Sequence, residues 1–148
     1  MKLKIKADDS NLEIINDFIH NLLPANCDLK ILNEIDLAVE EIFVNIAHYA
    51  YKDLLTQQKN AAASSTDSNL GFAEIFVDFD SASSILTVEL CDWGVPFDPL
   101  KKEDPDITLS AEERKIGGLG IFLTKKFMNS VSYKHENGQN KLKITKKI

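Results

Sequence analysis

Glu41 and Asn45 stand four residues apart in a stretch with helical periodicity, so their side chains project from the same side of a helix. A carboxylate can accept a proton or polarise a water molecule, and an amide oxygen is a hard ligand of the kind that Mg²⁺ prefers. Taken alone, the pair is more simply explained as an exposed acid beside a helix-surface amide. Its meaning therefore depends on the motifs further along the chain.

Asp92 directly follows an apolar run that predicts a strand, at a position where a carboxylate can face a cleft. A carboxylate can accept a hydrogen bond from the exocyclic amine of adenine. Gly94 has no Cβ and lets a ligand approach the backbone closely, and Phe97 is an apolar residue that can anchor the return of the loop. The alternative is an ordinary turn in which Asp and Gly serve the backbone.

The glycine-rich run Gly117-Gly118-Leu119-Gly120 opens an apolar stretch, Ile121 to Met128. Glycines are costly inside a helix, but at its start they expose backbone N–H groups where the helix dipole adds a positive field. The spacing fits neither a P-loop nor a dinucleotide fingerprint, and a flexible hinge is the plainer alternative. In this order the three elements predict a magnesium ligand with a base, a base-reading aspartate and a phosphate cradle. ATP is therefore the first ligand hypothesis.

Length and composition limit the class of protein. The chain has 148 residues, of which 44% are hydrophobic, and this fits one domain over residues 1–148. The net charge of -6 argues against direct nucleic-acid binding. Cys27 and Cys91 form no C-x-x-C pair, so neither a disulfide framework nor a zinc site is expected. No apolar run reaches the ~18 residues that span a bilayer, and no signal-peptide core is visible, so we expect a cytoplasmic protein without a membrane segment.

The apolar pattern predicts the elements that must position these residues. The first helix follows a Ser10–Glu13 capping box, and an Asn137-Gly138 turn joins the last two strands. The expected elements are a strand at Leu3–Ile5, a helix ending near Leu23, a helix from about Leu29 to Leu55, strands at Ile75–Phe79 and Ile85–Cys91, a helix from near Gly118 to near Asn129, and strands at Val131–Glu136 and Leu142–Ile148.

This order of elements predicts an α+β fold. We expect a two-layer sandwich: a mostly antiparallel mixed sheet with three helices on one face. Residues 57–69 are small and polar and predict a flexible insertion. Residues 100–116 are charged without a clear period and predict a loop or lid. On the second helix, apolar residues lie among Glu41, Asn45 and His48. A solvent-exposed face would be plainly polar, so this face is expected to line another part of the structure or a site.

Together, the three motifs resemble those of the GHKL ATPases, which have the Bergerat fold and include gyrase B, MutL and the catalytic domains of sensor histidine kinases. The closer likeness is to bacterial anti-sigma factor serine/threonine kinases, and it covers nearly the whole chain. The motifs are Glu41-x-x-x-Asn45, Asp92-x-Gly94-x-Pro96-Phe97-Asp98-Pro99 and Gly117-Gly118-Leu119-Gly120-Ile121. Many relatives carry His-Ala-Tyr where this chain has Tyr49-Ala50-Tyr51, so no role is transferred to His48, one residue earlier.

The resemblance implies an ATP-dependent serine/threonine protein kinase that acts as an anti-sigma factor in transcription regulation. In such a kinase Glu41 is the general base, Asn45 holds Mg²⁺ and Asp92 binds the adenine amine, and residues 100–116 form the ATP lid. The implied nucleotide-binding residues are Asn45, Asp92, Gly94, Phe97, Gly117, Gly118, Leu119, Gly120 and Ile121.

The same resemblance implies the partners of the chain. They are an anti-sigma antagonist protein as phosphoacceptor, a sigma factor, and a second copy of the chain in a homodimer. The alternative function is a nucleotide-binding regulatory module that binds a protein partner without phosphotransfer. Because the residues for binding and for transfer overlap, the sequence leaves both functions open. An α+β interaction domain that binds no nucleotide is the third hypothesis.

Overall fold

The structure, a computed structural model, describes residues 1–54, 56, 68–101, 103–105, 108 and 118–148. The elements that position the site are β1 Lys2–Lys6, α1 Leu12–His20, α2 Leu29–Asn45, β2 Phe72–Asp80, β3 Ile85–Asp92, α3 Leu119–Phe127, β4 Ser130–Glu136 and β5 Gln139–Lys147. Within these described ranges, none of the helices combines the length and the apolar character needed to cross a membrane.

The five strands form one sheet in the order β1-β2-β3-β5-β4. Every pairing between them is antiparallel, so the expected mixed character is absent from the described strands. The hairpin predicted at Asn137 and Gly138 is confirmed, and both residues adopt the positive φ that such a turn requires. Because β5 lies between β3 and β4, Asp92 at the end of β3 is paired with Asn140 at the start of β5.

The helices cover one face of the sheet, which confirms the two-layer α+β sandwich. Burial alternates along β2 and β3 because successive side chains point to opposite faces. Each large apolar side chain that is fully buried stabilises the fold by about 1.5–3 kcal/mol. The core includes Ile15 and Ile19 of α1, Ile35, Val39 and Phe43 of α2, and Ile75, Val77, Leu86, Val88, Leu90 and Ile144 of the sheet.

The first helix begins differently from the prediction. Ser10 does not cap the helix: the Asp8 carboxylate caps a 3₁₀ turn, accepting from the Ser10 backbone N–H at 3.0 Å and from the Ser10 hydroxyl at 2.5 Å, and Asn11, at the N-cap of α1, makes no side-chain cap hydrogen bond among the described residues. That turn has three residues, and α1 begins at Leu12. The helix also ends at His20, before the expected Leu23, because the backbone donors of Leu22 and Leu23 bond three residues back and tighten the chain ahead of Pro24.

The second helix is α-helical without interruption only from Leu29 to Asn45, although α-helical geometry returns at residues 52–54 and 56. Residues Ile46–Ala50 form a π-helical turn, whereas the prediction was one helix to Leu55, a residue outside the described ranges. The Ala50 carbonyl is engaged elsewhere, since it accepts a hydrogen bond from the Val95 backbone N–H at 3.2 Å. Turns of this type occur frequently at functional sites.

Two predicted segments lie mostly outside the described residues. Of the insertion predicted at 57–69, residues 57–67 are outside, and of the lid predicted at 100–116, residues 102, 106, 107 and 109–116 are outside. Both assignments therefore stay predictions.

Candidate functional site

A cavity of about 590 Å³ lies between α2 and the adjoining ends of β3 and β5. Its surface is mainly apolar, with polar side chains at a few places, which is the usual character of a small-molecule site. The lining residues are Glu41, Ile42, Asn45, Ile46, Tyr49, Ala50 and Asp53 from α2 and the segment after it, Leu90, Asp92, Val95, Pro96, Phe97 and Pro99 from β3 and its loop, and Gly118, Ile121, Tyr133, Asn140 and Leu142 from the C-terminal part.

One end of the cavity contains Glu41 and Asn45, both half-buried. The Asn45 side-chain amide donates to Glu41 Oε1 at 3.0 Å. An ionised carboxylate can only accept hydrogen bonds, so the Asn45 nitrogen must be the atom that faces Glu41. The Asn45 oxygen is then directed elsewhere and stays available as a hard ligand for a cation.

Two glycines of the third motif shape the same end of the cavity. A Cβ on Gly120 would lie 2.0 Å from Glu41 Oε2, so only glycine lets α3 approach this carboxylate so closely. Gly118 has a φ of 88° and precedes the first turn of α3, a conformation that favours glycine. No described side chain caps this helix start, so its first backbone N–H groups can bind an anion.

Asp92 is 6% exposed and lines the cavity toward its other end, because the loop after it packs on Ala50, nine residues beyond Glu41 along the helix. Its Oδ1 atom accepts from the Gly94 backbone N–H and from the Asn140 side-chain amide, each at 2.8 Å. Burial raises the pKa of this carboxyl above its usual range, while the two hydrogen bonds and nearby His135 oppose that rise. Among the described residues none donates to Oδ2, so this oxygen can accept a hydrogen bond from a ligand.

The loop after Asp92 is packed directly on the π-helical turn. A Cβ on Gly94 would lie 2.2 Å from the Ala50 carbonyl oxygen, so the absence of a side chain serves close packing of backbone on backbone. Buried Tyr51 adds a second connection, since its hydroxyl donates to the Phe72 carbonyl and accepts from the Trp93 backbone N–H. These contacts join the helix that carries Asn45 to the loop that carries Asp92.

Sequence reasoning did not identify Asn140 and Tyr133. They lie on neighbouring strands, and the Tyr133 hydroxyl donates to Asn140 Oδ1 at 2.6 Å. Nothing in their local sequence indicates a site, because their importance comes from strand pairing. Asn140 could have been found only by predicting how the strands pair. Such a prediction would have had to place the start of the last strand beside the end of β3.

The structure brings most of the predicted site residues together. Glu41, Asn45, Asp92, Phe97, Gly118 and Ile121 line the cavity, and Gly94 and Gly120 are packed against its walls. The Leu119 side chain is partly exposed and does not line the cavity. Gly117 lies outside the described residues. His48 is not among the described residues that line the cavity; its Nε2 lies 2.6 Å from Asp9 Oδ2. The next residue, Tyr49, does line the cavity.

The chain is similar in sequence and in fold to known proteins. The sequence model of the histidine kinase-like ATPase domain matches residues 5–146. Serine/threonine-protein kinase BtrW of Bordetella bronchiseptica is 30% identical over 60 residues, which are 40% of this chain and 42% of that protein. The chain therefore matches less than half of that relative's length.

The fold has a solved counterpart. The crystal structure of the RsbU and RsbW domains of Rv1364c from Mycobacterium tuberculosis aligns with 99% of this chain and 32% of its own, with a TM-score of 0.59 and 11% identity. At this low identity the likeness concerns the fold alone.

Proposed function

Because the chain belongs to the histidine kinase-like ATPase domain family, we propose that it binds ATP with Mg²⁺ in this cavity and phosphorylates a serine or threonine of a partner protein. The observation that carries the proposal is the pair Glu41 and Asn45, held at one end of a cavity whose other end contains Asp92. The pair suits phosphate chemistry, and the buried carboxylate suits base recognition.

The residues present fit a magnesium nucleotide. The cavity has room for a ligand of nucleotide size. The absence of a Cβ at Gly120 makes room for the Glu41 side chain in the cavity wall, and the start of α3 offers backbone donors to phosphate oxygens. The Asn45 oxygen is a suitable Mg²⁺ ligand, and Asp92 Oδ2 is a suitable acceptor for the adenine amine.

Each residue then has a role in the transfer. Glu41 accepts the proton of the incoming hydroxyl, and the bond from Asn45 to Oε1 orients the carboxylate while leaving it further acceptor sites. Mg²⁺, when bound, neutralises charge that develops on the phosphates. Asp92 and the packed loop hold the base, so the reacting end of the nucleotide lies at Glu41.

The finer assignment concerns the acceptor and the partners. The name of the Bordetella relative, a serine/threonine-protein kinase, supports a protein hydroxyl as acceptor. The resemblance to anti-sigma kinases supports an anti-sigma antagonist as that acceptor, a sigma factor as the second partner, and a homodimer as the working form.

The first prediction concerns Asn45. Calorimetric titration of Mg-ATP should show affinity weakened by at least about tenfold in Asn45→Ala, the lower end of what the loss of a metal-site group costs. The physical reason is the loss of the amide oxygen. With EDTA in place of Mg²⁺, the wild type should weaken and the variant should hardly change.

Asn33→Ala is the matched control, because Asn33 is an exposed amide on the same helix. It should bind as the wild type does in both conditions. Equal Mg²⁺ dependence in Asn45→Ala and the wild type would remove Asn45 from the metal site. Absence of nucleotide binding by the wild type would contradict the proposed function itself.

A pH prediction follows from Asp92. Its pKa lies above the ordinary value of 3.8 because the group is buried. Oδ1 already accepts two hydrogen bonds, so protonation falls on Oδ2 and turns the acceptor for the adenine amine into a donor. Preference for adenine should therefore be present above the folded-state pKa and be lost as pH falls through it.

The measurement compares ADP with inosine diphosphate, which carries the same phosphates but a keto oxygen in place of the amine. The ratio of their dissociation constants is followed from about pH 4.5 to pH 8. Because both nucleotides carry the same phosphates, the effect of phosphate titration on affinity cancels in this ratio. In Asp92→Asn the ratio should be small and independent of pH. An adenine preference that survives in that variant would show that another group reads the base.

A further inference from the structure

The Asn140 side chain occupies a fixed orientation. Its Oδ1 accepts from the Phe97 backbone N–H at 3.3 Å, and its Nδ2 donates to the Val95 backbone carbonyl at 3.0 Å. A backbone N–H can only donate and a backbone carbonyl can only accept, so these two groups determine which atom of the amide is nitrogen. The nitrogen is therefore the atom that meets Asp92 Oδ1 at 2.8 Å.

The hydrogen-bonding capacity of Asn140 is fully used by the protein. A side-chain amide has two N–H donors and two acceptor sites on its oxygen. The donors meet Asp92 Oδ1 and the Val95 carbonyl, and the acceptor sites meet the Tyr133 hydroxyl and the Phe97 backbone N–H. Although Asn140 borders the cavity, it has no site left for a ligand.

The bond from Asn140 also decides how Asp92 meets the cavity. Oδ1 is held by two donors, the Asn140 amide and the Gly94 N–H, which come from different parts of the chain. A carboxylate held at one oxygen presents the other in a defined direction. Because Asp92 is 6% exposed, the hydrogen bonds also stabilise its ionised, accepting form against the cost of burial.

From this geometry we infer that Asn140 is a positioning residue for base recognition, acting through Asp92 and the 93–97 loop without touching the nucleotide. The inference rests on the proposed function, because it concerns the same cavity. It adds that selection of adenine depends on the amide donor at position 140. That donor joins β5 to the end of β3 and to the loop.

Asn140→Asp tests the inference with almost no change in shape. It replaces the donor with a carboxyl beside Asp92, and two carboxyls so close share a proton that is released as pH rises. With the shared proton present, the new carboxyl donates to Oδ1 as the amide does. The ratio of ADP to inosine diphosphate affinity should be at least about tenfold below wild type at pH 8 and should recover on acidification to about pH 5.5.

Other titratable groups near the pair are His135 and Tyr133 on β4 and Asp98 in the loop. All three groups are also present in the wild type, where the ratio of ADP to inosine diphosphate affinity should not rise on acidification. A rise of this ratio that is seen in Asn140→Asp alone is therefore assigned to the new carboxyl. Asn140→Leu, which has no donor at any pH, should lose the adenine preference without recovery. Asn129→Asp is the charge control, because the Asn129 side chain accepts from the Lys147 backbone N–H, far from Asp92, and its ratio should match wild type.

The outcomes separate this inference from the proposed function. A merely structural role for Asn140 would weaken both nucleotides equally, leave the ratio intact and overturn the inference while ATP binding stands. A low ratio in Asn140→Asp that does not recover in acid would also overturn it. If Asn140→Asp does not fold, as judged by circular dichroism, an intact adenine preference in folded Asn140→Leu overturns the inference. A wild type that binds neither nucleotide overturns both.

Discussion

Glu41→Gln should slow phosphotransfer by about 10²–10⁴-fold, the usual contribution of a general base, while Mg-ATP affinity stays within a few-fold of wild type. In the wild type the Asn45 amide donates to Glu41 Oε1 at 3.0 Å, and a glutamine oxygen can accept the same hydrogen bond. The shape of this end of the cavity is therefore kept. Only the ability to take the proton of the incoming hydroxyl is lost. The measurement is single-turnover transfer of labelled γ-phosphate to a cognate antagonist protein, alongside calorimetric affinity for Mg-ATP.

Glu40→Gln is the matched control, because it makes the same charge change one residue away on the exposed side of α2. It should transfer phosphate at the wild-type rate. Wild-type transfer by Glu41→Gln would show that the base assignment is wrong. If the wild type binds ATP and controls its partner but never labels it, the chain is a nucleotide-binding module and not a kinase.

Gly94→Ala should destabilise the folded protein by about 3 kcal/mol, at the upper end of the cost of overpacking. The added Cβ would lie 2.2 Å from the Ala50 carbonyl oxygen and 2.7 Å from its carbon, so backbone meets backbone and no side-chain rotation relieves the clash. Urea unfolding without nucleotide should show the loss, with a melting temperature lower by roughly 2–4 °C for each kcal/mol.

Gly120→Ala provides the contrast, because its new Cβ would meet a side chain and not backbone, lying 2.0 Å from Glu41 Oε2 and 2.6 Å from Glu41 Cγ. The whole Glu41 side chain can change rotamer and move away, and alanine favours a helix over glycine by up to about 1 kcal/mol. Stability should therefore change little, while transfer falls because Glu41 is displaced. If Gly94→Ala unfolds at the wild-type urea concentration, the loop does not depend on its contact with the π-helical turn.

Together the two glycines explain how one helix can serve both ends of the cavity. Glu41 and Asn45 lie before the π-helical turn, at the end bordered by Gly120. Ala50 ends that turn and supports the loop of Asp92 through its carbonyl. A change that shifts the turn should thus affect base and phosphate recognition together.

The features determined by the sequence alone are local ones. The spacing of Glu41 and Asn45 predicts a shared helix face because an α-helix brings residues four apart together. Alternation around Ile75 predicts a strand, and Asn137-Gly138 predicts the last hairpin, because each depends on the conformation of a few neighbouring residues. The α+β sandwich follows from the order of such elements, and the confirmed fold shows that this reasoning was sufficient.

The tertiary structure decided the contacts between distant residues. Asn140 meets Asp92 across 48 positions of sequence, and only the register of β3 with β5 brings them together. The π-helical turn was not predicted because the local apolar pattern does not distinguish it from a continuous α-helix, and the Val95 N–H that bonds its last carbonyl, that of Ala50, comes from outside the helix. Likewise, Gly120 is required because Glu41 lies against it, which no local pattern indicates. Periodicity is a property of neighbouring residues, whereas strand register and backbone packing arise only when separate elements share one core.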